Sequence, residues 1–336
     1  METRRSEYDV SNRVDTTNPV AVAAELRALF EDLYPAASPA LLTRALQDCA
    51  VLYRGEYPGY RACDTAYHDT QHVLDVTLAM ARMMDGYERA RDHAKPIGPD
   101  LFNFGLITAL FHDIGYLRHR NDTRSRNGAE YTLTHVTRGS RFLEHYMQQL
   151  GMSELASTAA KVIHFTGYEI PVNRIDLADP MHRLLGNMLG SADIVAQMAD
   201  RCYLEKCRDR LYPEFVAGGL AGQHRPASHS GIRMFASVND LLFNTPGFYR
   251  SAMQRLNEHL GGVHRYLRAH FRGDDLYLDE VVKNIRYAER VAKDEDLSLL
   301  RRSPPPTVQA AMPLERPLAA SSAAAKNIFV PAANLH

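Results

Sequence analysis

The residues that could do chemistry begin with an adjacent pair, His112-Asp113, set in the otherwise apolar run Ala109-Leu110-Phe111-His112-Asp113-Ile114-Gly115-Tyr116. Burying two ligating side chains side by side is costly unless something compensates. A divalent ion is the usual compensation, since imidazole nitrogen with carboxylate oxygen suits Zn, Fe, Mn or Mg. The same pair also occurs at ordinary helix ends, so partners elsewhere in the chain decide between the readings. Upstream, Tyr67-His68-Asp69-Thr70-Gln71-His72-Val73-Leu74-Asp75-Val76 places His68 and His72 four residues apart, one turn apart on one helix face. Such a pair can serve one site in two roles, His72 as ligand and His68 reaching past it to a substrate. Either one alone reads equally well as a helix-surface histidine.

Downstream, His135 lies in Thr134-His135-Val136-Thr137-Arg138-Gly139 and His164 ends Lys161-Val162-Ile163-His164-Phe165. Both are open to a reading as hydrogen-bonded core histidines. Asp193, inside Leu189-Gly190-Ser191-Ala192-Asp193-Ile194-Val195-Ala196, is a carboxylate in an apolar helix, costly without a cation. His72, His112, Asp113 and Asp193 therefore have the composition of a two-histidine, two-carboxylate site. His135 and His164 would add ligands for a second ion, with Asp113 able to bridge. Two divalent ions about 3.5–4 Å apart suit in-line displacement at a phosphoryl group.

The elements that must position these residues are helical throughout. Apolar periodicity predicts helices over about 20–34, 39–53, 69–87, 100–116, 129–150, 153–165, 180–207, 232–243, 247–260 and 278–292, with no alternating strand and no internal repeat. The fold class expected is all-α. Residues 1–18 are polar and aperiodic and read as a disordered tail. Residues 19–298 read as one helical domain, and the Pro- and Ala-rich 299–336 as a second disordered tail in which Asn327-Ile328-Phe329-Val330 could dock. Gly218 to Gly231 reads as a flexible loop at a pocket rim.

Composition narrows the function. The chain has 336 residues, 45% hydrophobic and 24% charged, enough to bury a full core. A net charge of −1 gives no ground for electrostatic capture of nucleic acid or of a membrane surface. No apolar run reaches the roughly 18 residues that span a bilayer, and Met1 to Ser6 lacks a signal-peptide core. Cys49, Cys63, Cys202 and Cys207 show no paired spacing. A cytoplasmic, reduced protein is the expectation, with a homodimer left open.

Taken together, the ordered His…His-Asp…Asp set on a helical chain resembles the HD superfamily of metal-dependent phosphohydrolases. Tyr67 to Val76 is similar to the first signature of class I cyclic nucleotide phosphodiesterases, Tyr-His-Asn-x-x-His-Ala-x-Asp-Val. The resemblance covers roughly Tyr67 to Phe215. It implies an HD-domain, phosphodiesterase-like bundle and an enzyme hydrolysing a small phosphoester, most simply a phosphodiester of the cyclic-nucleotide kind. It implies two divalent ions, the first on His72, His112, Asp113 and Asp193, the second on His135 and His164. His68 becomes the general acid; Asn121 and Phe215 become substrate contacts, and Glu130 a carboxylate behind the ligands. Glu130 is equally open to plain charge placement at a helix start, and Phe215 to a place in the core.

The pattern also departs from that family. Tyr116 stands where the signature His-Asp-x-x-His-x-Gly-x-x-Asn has its second histidine, Arg118 where it has glycine, and Gly218 where a purine-holding glutamine follows Glu214-Phe215. Arg118, Arg120, Arg124 and Arg126 form a solvated loop or a phosphate-steering rim. His164-Phe165-Thr166-Gly167-Tyr168-Glu169-Ile170-Pro171 is faintly similar to a cyclic dinucleotide phosphodiesterase signature. A non-catalytic metal-binding sensor domain and di-iron oxygenase chemistry are the remaining alternatives.

Overall fold

The computed structural model describes residues 4–92, 94–222 and 234–307. The chain is all-α, with no sheet among the described residues. In chain order the helices are α1 (Pro19–Leu33), α2 (Ala40–Tyr53), α3 (Thr70–Ala90), α4 (Gly98–Leu110), α5 (His135–Gln149), α6 (Ser153–Val162), α7 (Pro180–Ala199), α8 (Tyr203–Lys206), α9 (Tyr212–Ala217), α10 (Val238–Gln254), α11 (Tyr266–His270) and α12 (Leu276–Asp294). No helix is long and apolar enough to cross a membrane. All four cysteines are buried.

Local sequence sets several of the starts. Asn18 caps α1 through its Oδ1, which accepts from the Val20 and Ala21 amides, with Pro19 in the first turn. Asp69 caps α3 by accepting from the His72 amide at 3.0 Å. Asp179 does the same for α7, ahead of Pro180. The central helix is α3, buried almost continuously from Thr70 to Tyr87 and packed against α1, α4, α7 and α11. α4 is buried from Phe102 to Leu110. α7 bridges α3 and α12, and α5 pairs with α6.

The boundaries differ from the periodicity in four places. The helix expected over 100–116 stops at Leu110, and Ile114–Tyr116 is a tight 3₁₀ turn. The helix expected over 129–150 is a 3₁₀ turn at Gly128–Tyr131 followed by α5. The one expected over 180–207 breaks at Asp200, whose extended backbone ends α7 and whose carboxylate holds Lys206 Nζ at 2.5 Å. Conversely, the two expected on either side of Pro246 are one helix, α10, which carries that proline inside it. Residues 232 and 233 lie outside the described residues.

The segment 1–18 is not a loose tail over the residues described. Asp9 Oδ2 meets Arg82 at 2.6 Å, both side chains 2% exposed, and also accepts from the Ser11 hydroxyl at 2.7 Å. Arg4 reaches Ala199 O and Glu280, and Val14 is in the core. Polar residues that look solvated in isolation here complete a buried charge on α3 and a partly buried one on α12. Residues 299–307, expected to belong to the second tail, are likewise held against the helices. Leu300 is buried, Arg302 Nη1 donates to Asn284 Oδ1 at 2.8 Å, and Pro305 O accepts from Arg210. Residues 308–336, with the docking segment expected at 327–330, lie outside the described residues, as does most of the loop expected at 218–231.

Burial opposes ionisation of Asp9, but Arg82, Ser11 and the Val14 and Arg13 amides outweigh it and hold the carboxyl at about 2. A depressed carboxyl stabilises the fold above its unfolded value of 3.8 and loses that contribution as pH falls toward 2. Replacing Asp9 by Asn should cost about 3–5 kcal/mol, because Arg82 is left buried and unpaired. Chemical denaturation of D9N against wild type checks this, and the difference should shrink between pH 4 and pH 2.

Candidate metal centre

Three helices and one turn deliver the polar cluster. His72 lies in the first turn of α3, held by the Asp69 cap. His112 and Asp113 lie in the unwound stretch after α4, His135 is the first residue of α5, and Asp193 is inside α7. The turn after α4 exists because Gly115 has no side chain: a Cβ there would collide with the His135 backbone carbonyl. Arg138, one turn along α5, clamps the same contact by donating to Gly115 O at 2.7 Å and Leu117 O at 2.8 Å.

The ligand atoms of His72, His112 and Asp113 lie within 4.8 Å of one another in a buried setting. Asp113 Oδ2 is 3.1 Å from His112 Nε2 and 3.2 Å from His72 Nε2. Asp193 Oδ1 flanks them, 3.5 Å from His72 Nε2 and 3.9 Å from His112 Nε2. His112 Nδ1 is 2.8 Å from Ala109 O, and a carbonyl can only accept, so Nδ1 carries a proton and neutral His112 presents a bare Nε2. That Nε2 and Asp113 Oδ2 are both buried without a properly aligned hydrogen bond. With His112 neutral, two acceptors are turned on each other at that distance, a conflict that a cation resolves. Without an ion a proton on Nε2 does so in part, since burial lowers His112 but the Asp113 and Asp193 carboxylates raise it above its ordinary value. The group could hold a metal ion, and its nitrogen and oxygen donors accept several.

The other carboxylate oxygen faces a different imidazole. Asp113 Oδ1 is 3.6 Å from His135 Nε2, while His135 Nδ1 donates to Thr132 O at 2.7 Å and so leaves Nε2 bare. Burial holds His135 below its ordinary pKa, against the pull of Asp113. His72 behaves oppositely: burial would lower it, but the Asp113 and Asp193 carboxylates raise it to about 10. Burial is outweighed in the same way at Asp113, which His112 and His72, protonated when no ion is bound, hold well below the carboxylate range.

His68 stands beside the cluster and is paired through Nδ1 with Glu214 Oε1. Glu214 is buried, and its second oxygen accepts from the Tyr67 amide at 2.9 Å. Burial alone would lower His68; the Glu214 charge and hydrogen bond raise it above the ordinary value. Tyr116 is sandwiched between His68 and His135, with ring centroids 4.3 Å and 4.4 Å away. Arg138 is a working residue that the sequence did not single out, and Tyr116 and Glu214 entered only through the signatures compared, without a role. Glu214 had a signal, its place next to Phe215, but its partner lies 146 residues away.

Other expected residues stand elsewhere. His164 is half-buried with an unpartnered Nδ1, lowered by burial, and no contact joins it to the cluster among the described residues. Glu130 is exposed and caps its own turn, accepting from the Arg126 and Asn127 amides. Asn121 is exposed in the loop after the turn. Phe215 is half-buried and stacks on Phe235 with centroids 5.9 Å apart, an apolar contact. Arg118 is taken up by Asp64, and Arg120 by the carbonyls of Tyr60 and Gly55, so both brace the loop. A Cβ at Gly218 would lie 2.5 Å from Ala129 O, so the backbone there admits no glutamine.

Compared with known proteins, the chain matches no family, no curated protein and no solved structure.

Two outcomes follow from the geometry. With His72 protonated up to about pH 10, uptake of a divalent ion at pH 7 should release at least one proton. Affinity should then rise about tenfold per pH unit between pH 6 and 9, measurable by calorimetry in buffers of different ionisation enthalpy. Gly115→Ala should push α5 off the turn and weaken ion binding at least tenfold, with the helical circular dichroism kept.

Proposed function

We propose that the protein is a metal-dependent phosphohydrolase of HD type, acting on a small phosphoester, most simply a phosphodiester. The observation that carries this reading is the unpartnered pair His112 Nε2 and Asp113 Oδ2, buried and flanked by His72 and Asp193. The two oxygens of Asp113 face two separate sets of imidazoles, which supports a bridging role between two ions. Held there, divalent ions supply Lewis acidity toward a phosphoryl oxygen and acidify water. His72, His112, Asp113 and Asp193 would hold the first, and Asp113 with His135 part of a second.

The protein's own share of the chemistry rests on His68. Its Nδ1 is committed to Glu214, so its Nε2–H is left to protonate a leaving oxygen. Glu214 fixes the ring's orientation and keeps the imidazolium charged near neutral pH, the state a general acid needs. Tyr116 confines the ring from its flat side, so the proton is delivered along one direction. Recognition of the substrate's remainder falls on groups other than a glutamine, for which Gly218 leaves no room.

A phosphoester panel run with Mn, Mg, Zn or Fe(II) tests the reading: metal-dependent release of product supports it, and no turnover with any ion removes it. Within the panel, His112→Ala and Asp113→Ala should abolish both ion binding and turnover. His68→Ala should keep the ion and lose about 10²–10⁴-fold in kcat. Normal turnover in that variant would take the acid role from His68.

A further inference from the structure

Tyr168 and Arg255, on the loop after Phe165 and at the end of α10, have no part in holding the metal centre. Tyr168 is 71% exposed, the most open large hydrophobic side chain among the described residues, and Ile170 beside it is 36% exposed. A lone exposed tyrosine needs no explanation, but this ring is fixed in place. The Arg255 guanidinium lies 4.0 Å from its centroid, and Arg255 Nη2 is itself tied to Phe165 O at 2.8 Å and Gly167 O at 2.6 Å. Arg255 is buried, its Nε has no hydrogen-bond partner, and it forms no ion pair among the described residues. The cation is held by the two carbonyls with its flat side against the ring. It covers one face and draws π density from it, leaving an open face suited to offset stacking by an electron-rich planar ring.

The location relates this surface to the site. Phe165, from which the loop departs, packs against Gly186 and Gly190 of α7, the helix that carries Asp193. The protein wall behind Tyr168 raises its phenol above the ordinary value, Arg255 opposes this, and the Asp193 carboxylate adds to it. The Glu169 charge next to it bears on His135. Tyr168 is thus held by Arg255 and open to solvent on one face, on the loop that leaves Phe165 where it packs against the helix of Asp193.

We propose that Tyr168, backed by Arg255, is the surface on which a planar ring of the substrate stacks while the phosphoester occupies the metal centre, so that ring-bearing phosphoesters are selected over aliphatic ones. The inference rests on the phosphohydrolase reading and adds the selecting residue. It also agrees with Gly218: where no glutamine stands to read a base edge, a π face selects rings and tolerates differences among them.

The test compares wild type, Tyr168→Phe and Tyr168→Ala, each metal-loaded, on a nucleoside phosphodiester and on an alkyl phosphodiester built on glycerol. Tyr168→Ala should lower the ratio of kcat/KM for the nucleoside ester over the alkyl ester about tenfold, through KM, and Tyr168→Phe should restore it. An unchanged ratio in Tyr168→Ala, with wild-type turnover intact, overturns the stacking surface and leaves the hydrolase standing. If wild type turns over neither ester, phosphodiester hydrolysis fails on its own. Calorimetry with a nucleoside 5′-monophosphate then judges the surface: binding about tenfold weaker to Tyr168→Ala supports it, and equal affinity or no binding to wild type overturns it.

Discussion

Asp113 and the imidazoles of His72 and His112 meet in the interior of the bundle with their lone pairs converging, and most of the local architecture follows from that meeting. Protonating His72 removes part of the conflict, which is why the two carboxylates hold its pKa so high. It does not give His112 Nε2 and Asp113 Oδ2 an aligned hydrogen bond. Folded proteins are stable by only about 5–15 kcal/mol, and an unresolved buried charge can consume a large part of that. A cation resolves it with the donor atoms already in place.

Holding those donors together takes contacts well outside the cluster. Gly115 lets α5 start directly against the turn that carries His112 and Asp113, and Arg138 locks the two backbones together. On the far side, Lys206 ties Asp200 at the end of α7 to Gln71 in the first turn of α3, at 2.5 Å and 3.2 Å. Asp193 and His72 sit on those same two helices. Their separation is therefore set by rigid elements rather than by loops, the arrangement a preorganised site requires. The ion pair of Asp9 with Arg82 braces α3 again, farther along, from the N-terminal segment.

How much of this can be read from the sequence depends on the range of the physics. Caps at Asn18, Asp69 and Asp179 and the apolar periodicity of α3, α4 and α7 act within a turn or two, and they are legible. A histidine and a carboxylate inside an apolar run are legible as a buried polar pair for the same reason. The unwinding after Leu110 is not, because it depends on Gly115 meeting a backbone twenty residues later. Pro246 reads as a break, yet α10 runs through it, since tertiary packing outweighs one lost backbone bond. Glu214, Tyr116 and Arg138 take their meaning from distant partners, and so does Asp9. His164, Glu130 and Asn121 had a suggestive type and position, but direction in space is what decides, and theirs is elsewhere.

The most direct measurement is elemental analysis of the purified protein after incubation with Mn, Mg, Zn or Fe(II) and removal of free ion, followed by anomalous diffraction to locate what remains. The account predicts at least one divalent ion per chain, bonded to His72 and His112 nitrogen and to Asp113 oxygen, and lost in His112→Ala. A folded wild-type protein that retains none of these ions, or that holds one away from the three residues, would contradict it.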